Sequence, residues 1–300
     1  MSRSRHPLLA RLWPVGLLLI AMSAIQSGAS LAHSAFPIAG AAGITSLRLI
    51  LAAVLLIAIF RPWRRRIAPG AWPAILVYGV ALGVMNFLFY QALARIPLGI
   101  AVAFEFTGPL SVALIASRRV LDLLWVLIAV AGLAVLLWPE PGLGHALDPL
   151  GIVCALGAGA CWALYILFGQ KAGQINGMQS AVLGVSIAAI LVAPVGAWHA
   201  GSILLDPTVL ALGAGVAVLS TALPYTLEMI AMPRLPTATF GTLMSLEPAF
   251  GALSGLIFLG QSLGTAQWLA IGAVMAASMG TTLTPGGVDE DEAHEAPRPD

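Results

Sequence analysis

Charge is scarce in this chain. Lys, Arg, Asp and Glu together supply 9% of its 300 residues, whereas about a quarter of a soluble domain is charged. Apolar residues make up 59%, and the mean hydropathy is +0.95. That leaves too little polar surface for a water-soluble globule, and the chain reads as an all-α, polytopic membrane protein. A net charge of +1 excludes a nucleic-acid binder working through broad electrostatics. Cysteine is nearly absent. Cys154 and Cys161 lie seven apart in one apolar segment, about 10 Å along a helix axis and too far for a disulfide. They read as buried small hydrophobes, and no metal is expected. Nucleotide and hydrolase signatures are missing as well. There is no GxxxxGK[ST] loop and no HExxH, and Gly251-Ala-Leu-Ser-Gly255 narrowly misses a GxSG pattern. The five histidines (6, 33, 145, 199, 294) fall mostly in loops or tails. No catalytic residue and no cofactor is expected, and the chain does not read as an enzyme.

What is present is a series of long apolar runs. About 20 apolar residues span a bilayer, and ten such windows can be drawn: roughly 12–32, 38–60, 72–94, 98–117, 121–138, 149–169, 178–198, 208–231, 236–259 and 264–283. The first follows Arg3, Arg5 and Arg11 and imitates a signal peptide, but it exceeds a typical h-region and leads into further spans, so it reads as a retained helix. The separators are short, which makes neighbouring spans antiparallel. With the N-terminus (1–11) in the cytoplasm, twelve of the 14 basic residues fall on the cytoplasmic side, among them Arg61, Arg64, Arg65, Arg66, Arg118, Arg119, Lys171 and Arg234. The outer loops carry Arg95, and Arg48 lies inside a span. This asymmetry places both termini in the cytoplasm. The acidic segment 285–300 reads as a disordered cytoplasmic tail.

A repeat is visible. Arg95-Ile-Pro97 followed by Pro109 recurs as Arg234-Leu-Pro236 followed by Pro248, at an offset of 139. Five spans per half turn the second half over in the membrane. The chain therefore reads as two inverted five-helix repeats, 12–138 and 149–284, with a binding site near the midplane where they meet.

Four charged residues sit near the middle of the apolar stretches: Arg48, Glu105, Glu228 and Glu247. An ion at such a depth costs about 2.5–3.5 kcal/mol on insertion scales, so these residues read as the lining of a polar pathway. Gly79, Gly83, Asn86 and Tyr90 share one helical face, either as pathway lining or as polar glue between helices. Glu105 precedes Pro109, which cannot donate to the carbonyl of residue 105. The carboxylate is read either as cavity lining or as the buried partner of Arg48. Trp162 and Tyr165 lie on the sixth window with Gly157 and Cys161. Thr221, Pro224, Tyr225 and Glu228 share a face of the eighth. Glu247 adjoins Pro248, and Gly251 and Gly255 follow as a helix-contact pair. Ser23, Gln26, Ser27, Ser30 and His33 form a polar stripe on the first window. A lone buried guanidinium needs a carboxylate partner, and for Arg48 that partner is either a protein Glu or the substrate.

Segments 97–109, 157–169, 223–229 and 240–248, with Arg234-Leu-Pro-Thr, are similar to those of bacterial threonine/homoserine exporters. Over about residues 10–284 the plan resembles the drug/metabolite transporter superfamily, EamA-type branch. Where that family closes its ninth span with an acid, this chain has Gln261. The resemblance implies an inner-membrane secondary exporter of small amino acids, exchanging substrate for protons by alternating access. On this reading Arg48 receives the substrate carboxylate. Glu105 or Glu228 faces the ammonium group or carries the proton, with Glu247 a further proton-coupling candidate. Asn86, Tyr90, Trp162, Tyr165 and Tyr225 complete the walls, and Pro109, Pro224 and Pro248 let helices bend. The partners are a small-molecule substrate, protons and the lipid bilayer, and the chain acts as a monomer or homodimer. Three rivals stay open: an exporter of another small metabolite or drug with the same fold, an importer, and an intramembrane enzyme.

Overall fold

The computed structural model describes residues 7–64, 67–116, 120–137, 147–231, 234–235 and 237–283. The tail, Pro236, and the basic residues Arg3, Arg5, Arg65, Arg66, Arg118 and Arg119 lie outside them. The described residues are helical throughout, with no strand among them. The elements are α1 (Pro7–Phe60), α2 (Trp72–Leu93), α3 (Leu98–Glu105), α4 (Thr107–Ala116), α5 (Val120–Leu137), α6 (Pro149–Asn176), α7 (Met178–Ala200), α8 (Pro207–Ala217), α9 (Leu223–Ala231), α10 (Thr237–Met244), α11 (Glu247–Leu259) and α12 (Thr265–Leu283). Six helical stretches are long and apolar enough to cross a membrane: Trp13–Arg64, Trp72–Leu93, Pro149–Ile175, Met178–Leu205, Pro207–Glu228 and Thr239–Leu259. Large apolar side chains such as Ile115, Trp198 and Leu269 point outward, as they do where the solvent is lipid. The protein is a multi-pass membrane protein.

Element α1 is two helices. Gly40 interrupts it at φ 68°, ψ 160°, a conformation open to glycine because it has no Cβ. Before Gly40, Leu31 lies against Gly215 and Gly28 against Ser220. After it, Gly43 lies against Leu204 and Leu47 against Gly213. One part therefore runs antiparallel to α8 and the other parallel to it, so the chain reverses at Gly40. Gly177 (φ 55°, ψ −134°) is likewise the whole connector between α6 and α7.

Side chains and prolines set other ends. Asp148 accepts from the N–H of Leu150 at 2.8 Å, and Pro149 opens α6. Asp206 accepts from Thr208 and Val209 at 2.8 and 3.3 Å, ahead of Pro207 and α8. These are N-caps that satisfy orphan amides of the first turn.

Two helices break within their apolar runs. Phe106 separates α3 from α4, and Ser245–Leu246 separate α10 from α11. Pro109 and Pro248 cannot donate to the carbonyls of Glu105 and Met244, the residues four before them. Between α8 and α9 a single π turn, Val218–Ala222, precedes Pro224; such wide turns are frequent at functional sites.

Packing joins the pieces through small residues. Gly99 meets Ala252, and Gly251 and Gly255 meet Val102 and Leu98, so α3 crosses α11 closely. Gly108 abuts the carbonyl of Gly159, which brings α4 against α6. Gly79 and Gly83 take Ile187 and Ala188 of α7. One buried cluster centres on Leu49, Leu82, Val185 and Val192, and another on Ile100, Phe104, Leu136 and Ile271.

Candidate functional site

Arg48 comes from the second part of α1 and is 7% exposed. Its Nη2 donates to Oδ1 of Asn86 on α2, and its guanidinium carbon stands 4.9 Å from the centroid of the Tyr90 ring. The orientation of Asn86 is set by its own helix, since Nδ2 donates to the Leu82 carbonyl at 2.8 Å. That leaves Oδ1 turned to the guanidinium. Asn86 and Tyr90, four apart on one face of α2, thus form a cradle for Arg48. Tyr90 is wedged further by Phe36 and Phe89, with ring centroids 5.8 and 6.0 Å away.

No carboxylate among the described residues comes within ion-pair distance of Arg48. Among the described residues the one ion pair is Arg95–Asp148, at 3.7 Å. Glu105, the last residue of α3, is buried and lies within electrostatic range of both Arg48 and Glu247. Glu247, the first residue of α11, is buried and lies within range of Glu228 on α9. The four charges named from the sequence thus form one chain of electrostatic neighbours, Arg48–Glu105–Glu247–Glu228. Helix breaks place Glu105 and Glu247 there, because each sits at the edge of an interruption and not in mid-helix.

The aromatic candidates divide. Trp162 meets Phe106 edge to face at 5.7 Å and 84°, beside the break that carries Glu105. Cys161, next to Trp162, is itself within range of Glu105 and is a free thiol, as is Cys154. Tyr165 instead stacks on Tyr78 at 5.0 Å and 30°, within the cluster that holds Leu49 and Val185. Tyr78 lies eight residues before Asn86, about 12 Å along α2, so Tyr165 is held apart from the Arg48 cradle. The side chain of Tyr225 lies outside the described residues.

Two polar residues join the site that spacing alone did not assign to it. Gln26, 2% exposed, donates from Nε2 to Oε1 of Glu247 at 3.3 Å, across 221 positions. Its place on the polar stripe of the first window was the available signal. Gln261 accepts from the N–H of Leu98 at 2.9 Å and so caps α3, the half-helix that carries Glu105. The chain's departure from the family's acid at this position thus keeps the acceptor.

Several buried polar atoms here have no hydrogen-bond partner: Gln26 Oε1, Ser30 Oγ, Arg48 Nε, Tyr90 Oη, Ser220 Oγ and Glu247 Oε2. Each such atom costs about 1–3 kcal/mol, so a group of them marks a place built to meet something the polypeptide does not supply. No group of three or more His, Cys, Asp or Glu among the described residues is placed to hold a metal ion.

A model of the EamA-like transporter family matches residues 149–283. The chain is 56% identical to the threonine/homoserine exporter RhtA of Escherichia coli strain K12 over 271 residues, 90% of this chain and 92% of that protein. It is 58% identical to the threonine/homoserine exporter RhtA of Salmonella typhimurium strain LT2 over the same shares. The chain belongs to the EamA-like transporter family. It is a transporter and not an enzyme. It is also 27% identical over 238 residues to the uncharacterized transporter YwfM of Bacillus subtilis strain 168, which covers 76% of this chain and 79% of that one. A crystal structure 19% identical in sequence superposes with a TM-score of 0.59 over 94% of this chain and 99% of its own. At that identity the match concerns the fold alone.

Proposed function

We propose that this transporter exports small amino acids of the threonine/homoserine type across the inner membrane, by alternating access and in exchange for protons. The observation that carries the reading is the 56–58% identity to threonine/homoserine exporters over 90% of the chain. The site supports it chemically. Arg48 is unneutralised by any side-chain carboxylate and offers a guanidinium that matches a substrate carboxylate. Asn86 and Tyr90 fix its direction, and Trp162 lines the approach beside Glu105. Glu105, Glu228 and Glu247 form the run of acids along which a coupling proton travels.

The architecture goes with this reading: ten spans in two inverted five-helix halves, 12–138 and 149–284, with both termini cytoplasmic. Several observations support it. The chain reverses at Gly40. Phe106 and Ser245, at the two helix breaks, are 139 positions apart, the same interval as Pro109 and Pro248. Alternate connectors gather at opposite ends: Arg95 meets Asp148 and Leu98 meets Gln261 at one, while Ile67 and Ala71 pack with Ala172 and Leu183 at the other. The family match begins at residue 149. Among the described basic residues, Arg61, Arg64 and Lys171 adjoin the second group of connectors in the chain.

Efflux of labelled threonine and homoserine from loaded cells, with and without the protein, tests the function. Faster efflux of both when the protein is present is expected; equal rates would remove the reading.

A further inference from the structure

We infer that Gln26 and Glu247 form the subsite for the substrate's ammonium group, opposite a carboxylate subsite made by Arg48 and Tyr90. The inference rests on the amino-acid-exporter reading and assigns each end of the zwitterion to its own pair of side chains.

The unpartnered atoms sort by hydrogen-bonding sense. Arg48 Nε can only donate, and Tyr90 Oη can donate; both lack a partner, in side chains 7% and 1% exposed. Gln26 Oε1 and Glu247 Oε2 accept, and both also lack a partner, in side chains 2% and 6% exposed. The single hydrogen bond between Gln26 and Glu247 uses the amide nitrogen of one and one oxygen of the other. It binds the two side chains into a unit whose remaining oxygens have no donor. Two spare donors on one side and two spare acceptors on the other complement a zwitterion, with its carboxylate at one end and its ammonium at the other.

Local backbone adds to this. An ammonium carries three N–H donors. The Met244 carbonyl, three residues before Glu247 in the chain, lacks its helical donor because Pro248 has no N–H. Gly251 faces both Val102 and Gln26: a Cβ there would stand 3.0 Å from Val102 Cγ2 and 3.5 Å from Gln26 Oε1, so the glycine lets the three helices close around the Gln26 amide. Glu105 lies within electrostatic range of both Arg48 and Glu247. On this assignment Glu105 carries the proton while Glu247 holds the amine.

Equilibrium binding to the purified full-length protein tests the assignment with three probes. They are threonine, its hydroxy-acid analogue (a hydroxyl in place of the ammonium) and threoninamide (a neutral amide in place of the carboxylate). The native protein is expected to prefer threonine over either analogue by about tenfold or more, because a site with buried polar groups rejects a ligand that leaves them unpaired. Glu247→Gln and Gln26→Met are each expected to reduce the preference over the hydroxy acid to within about threefold while keeping the preference over threoninamide. Should Glu247→Gln fail to fold, the ratio in Gln26→Met decides. A native-like preference over the hydroxy acid in the folded Gln26 and Glu247 variants overturns the inference. Failure of the native protein to bind threonine or homoserine at all is a separate outcome, which removes the exporter reading and the subsite with it.

Discussion

Arg48 meets Asn86 where a lone guanidinium in an apolar span was expected to meet a carboxylate. The amide oxygen accepts from Nη2 and carries no charge, and among the described residues no carboxylate lies within ion-pair distance of the guanidinium. On the proposed reading this leaves Arg48 to receive the substrate carboxylate.

Substituting Asn86 separates these properties. Asn86→Leu removes a hydrogen bond to a charged group, worth about 1.5–3 kcal/mol, and is expected to lower the thermal midpoint of the purified protein. Asn86→Asp restores the acceptor and supplies the missing counter-charge. It is expected to fold at least as well as the native protein yet bind threonine about tenfold or more weakly, since the engineered carboxylate competes for the guanidinium. Native-like substrate affinity in Asn86→Asp would count against Arg48 as the carboxylate anchor.

Close approach of α4 and α6 makes a second prediction. A Cβ on Gly108 would overlap the backbone carbonyl of Gly159, which cannot move without shifting the helix. Gly108→Ala is expected to destabilise the protein by about 1–3 kcal/mol or more. Gly16 has nothing within 4 Å of its virtual Cβ, and Gly16→Ala is expected to be neutral or stabilising by up to about 1 kcal/mol. Thermal unfolding of both variants checks the contrast.

At Gln261 the property that matters is acceptance from the Leu98 N–H. Gln261→Leu is expected to cost about 0.5–2 kcal/mol as a lost cap and to speed hydrogen exchange at that amide. Gln261→Glu keeps an acceptor and adds a negative charge at a helix N-terminus, where it is favourable. Full transport and undiminished stability are therefore expected of it. A loss equal to that of Gln261→Leu would show that the cap is unimportant.

On the proposed reading the acids Glu105 and Glu228 carry the coupling proton. Glu105→Gln and Glu228→Gln, each assayed for substrate accumulation under an imposed pH gradient, are expected to lose gradient-driven transport. Unchanged gradient dependence in both would remove the coupling role from these positions.

Much of the fold was legible because membrane insertion writes itself into composition. The apolar windows at 72–94, 149–169 and 178–198 correspond closely to Trp72–Leu93, Pro149–Asn176 and Met178–Ala200. Pro109 and Pro248 marked helix breaks for a local reason, the missing N–H. The site was legible as a set of ions but not as a set of partners. Gln26 reaches Glu247 across 221 positions and Gln261 reaches Leu98 across 163; no periodicity within one helix specifies such pairings. Tyr165 shares a stripe with Cys161, yet Tyr78 on the neighbouring helix captures it. Which helix stands opposite is a tertiary fact that spacing along one helix does not contain.

We propose that this protein moves a zwitterionic amino acid against protons, with Arg48 as the carboxylate anchor. Labelled threonine presented outside proteoliposomes with an acidic lumen is the decisive measurement. Accumulation in the lumen above the external concentration is expected, abolished by a protonophore and by Arg48→Ala. Equilibration that is indifferent to the pH gradient, or accumulation that survives Arg48→Ala, would contradict it.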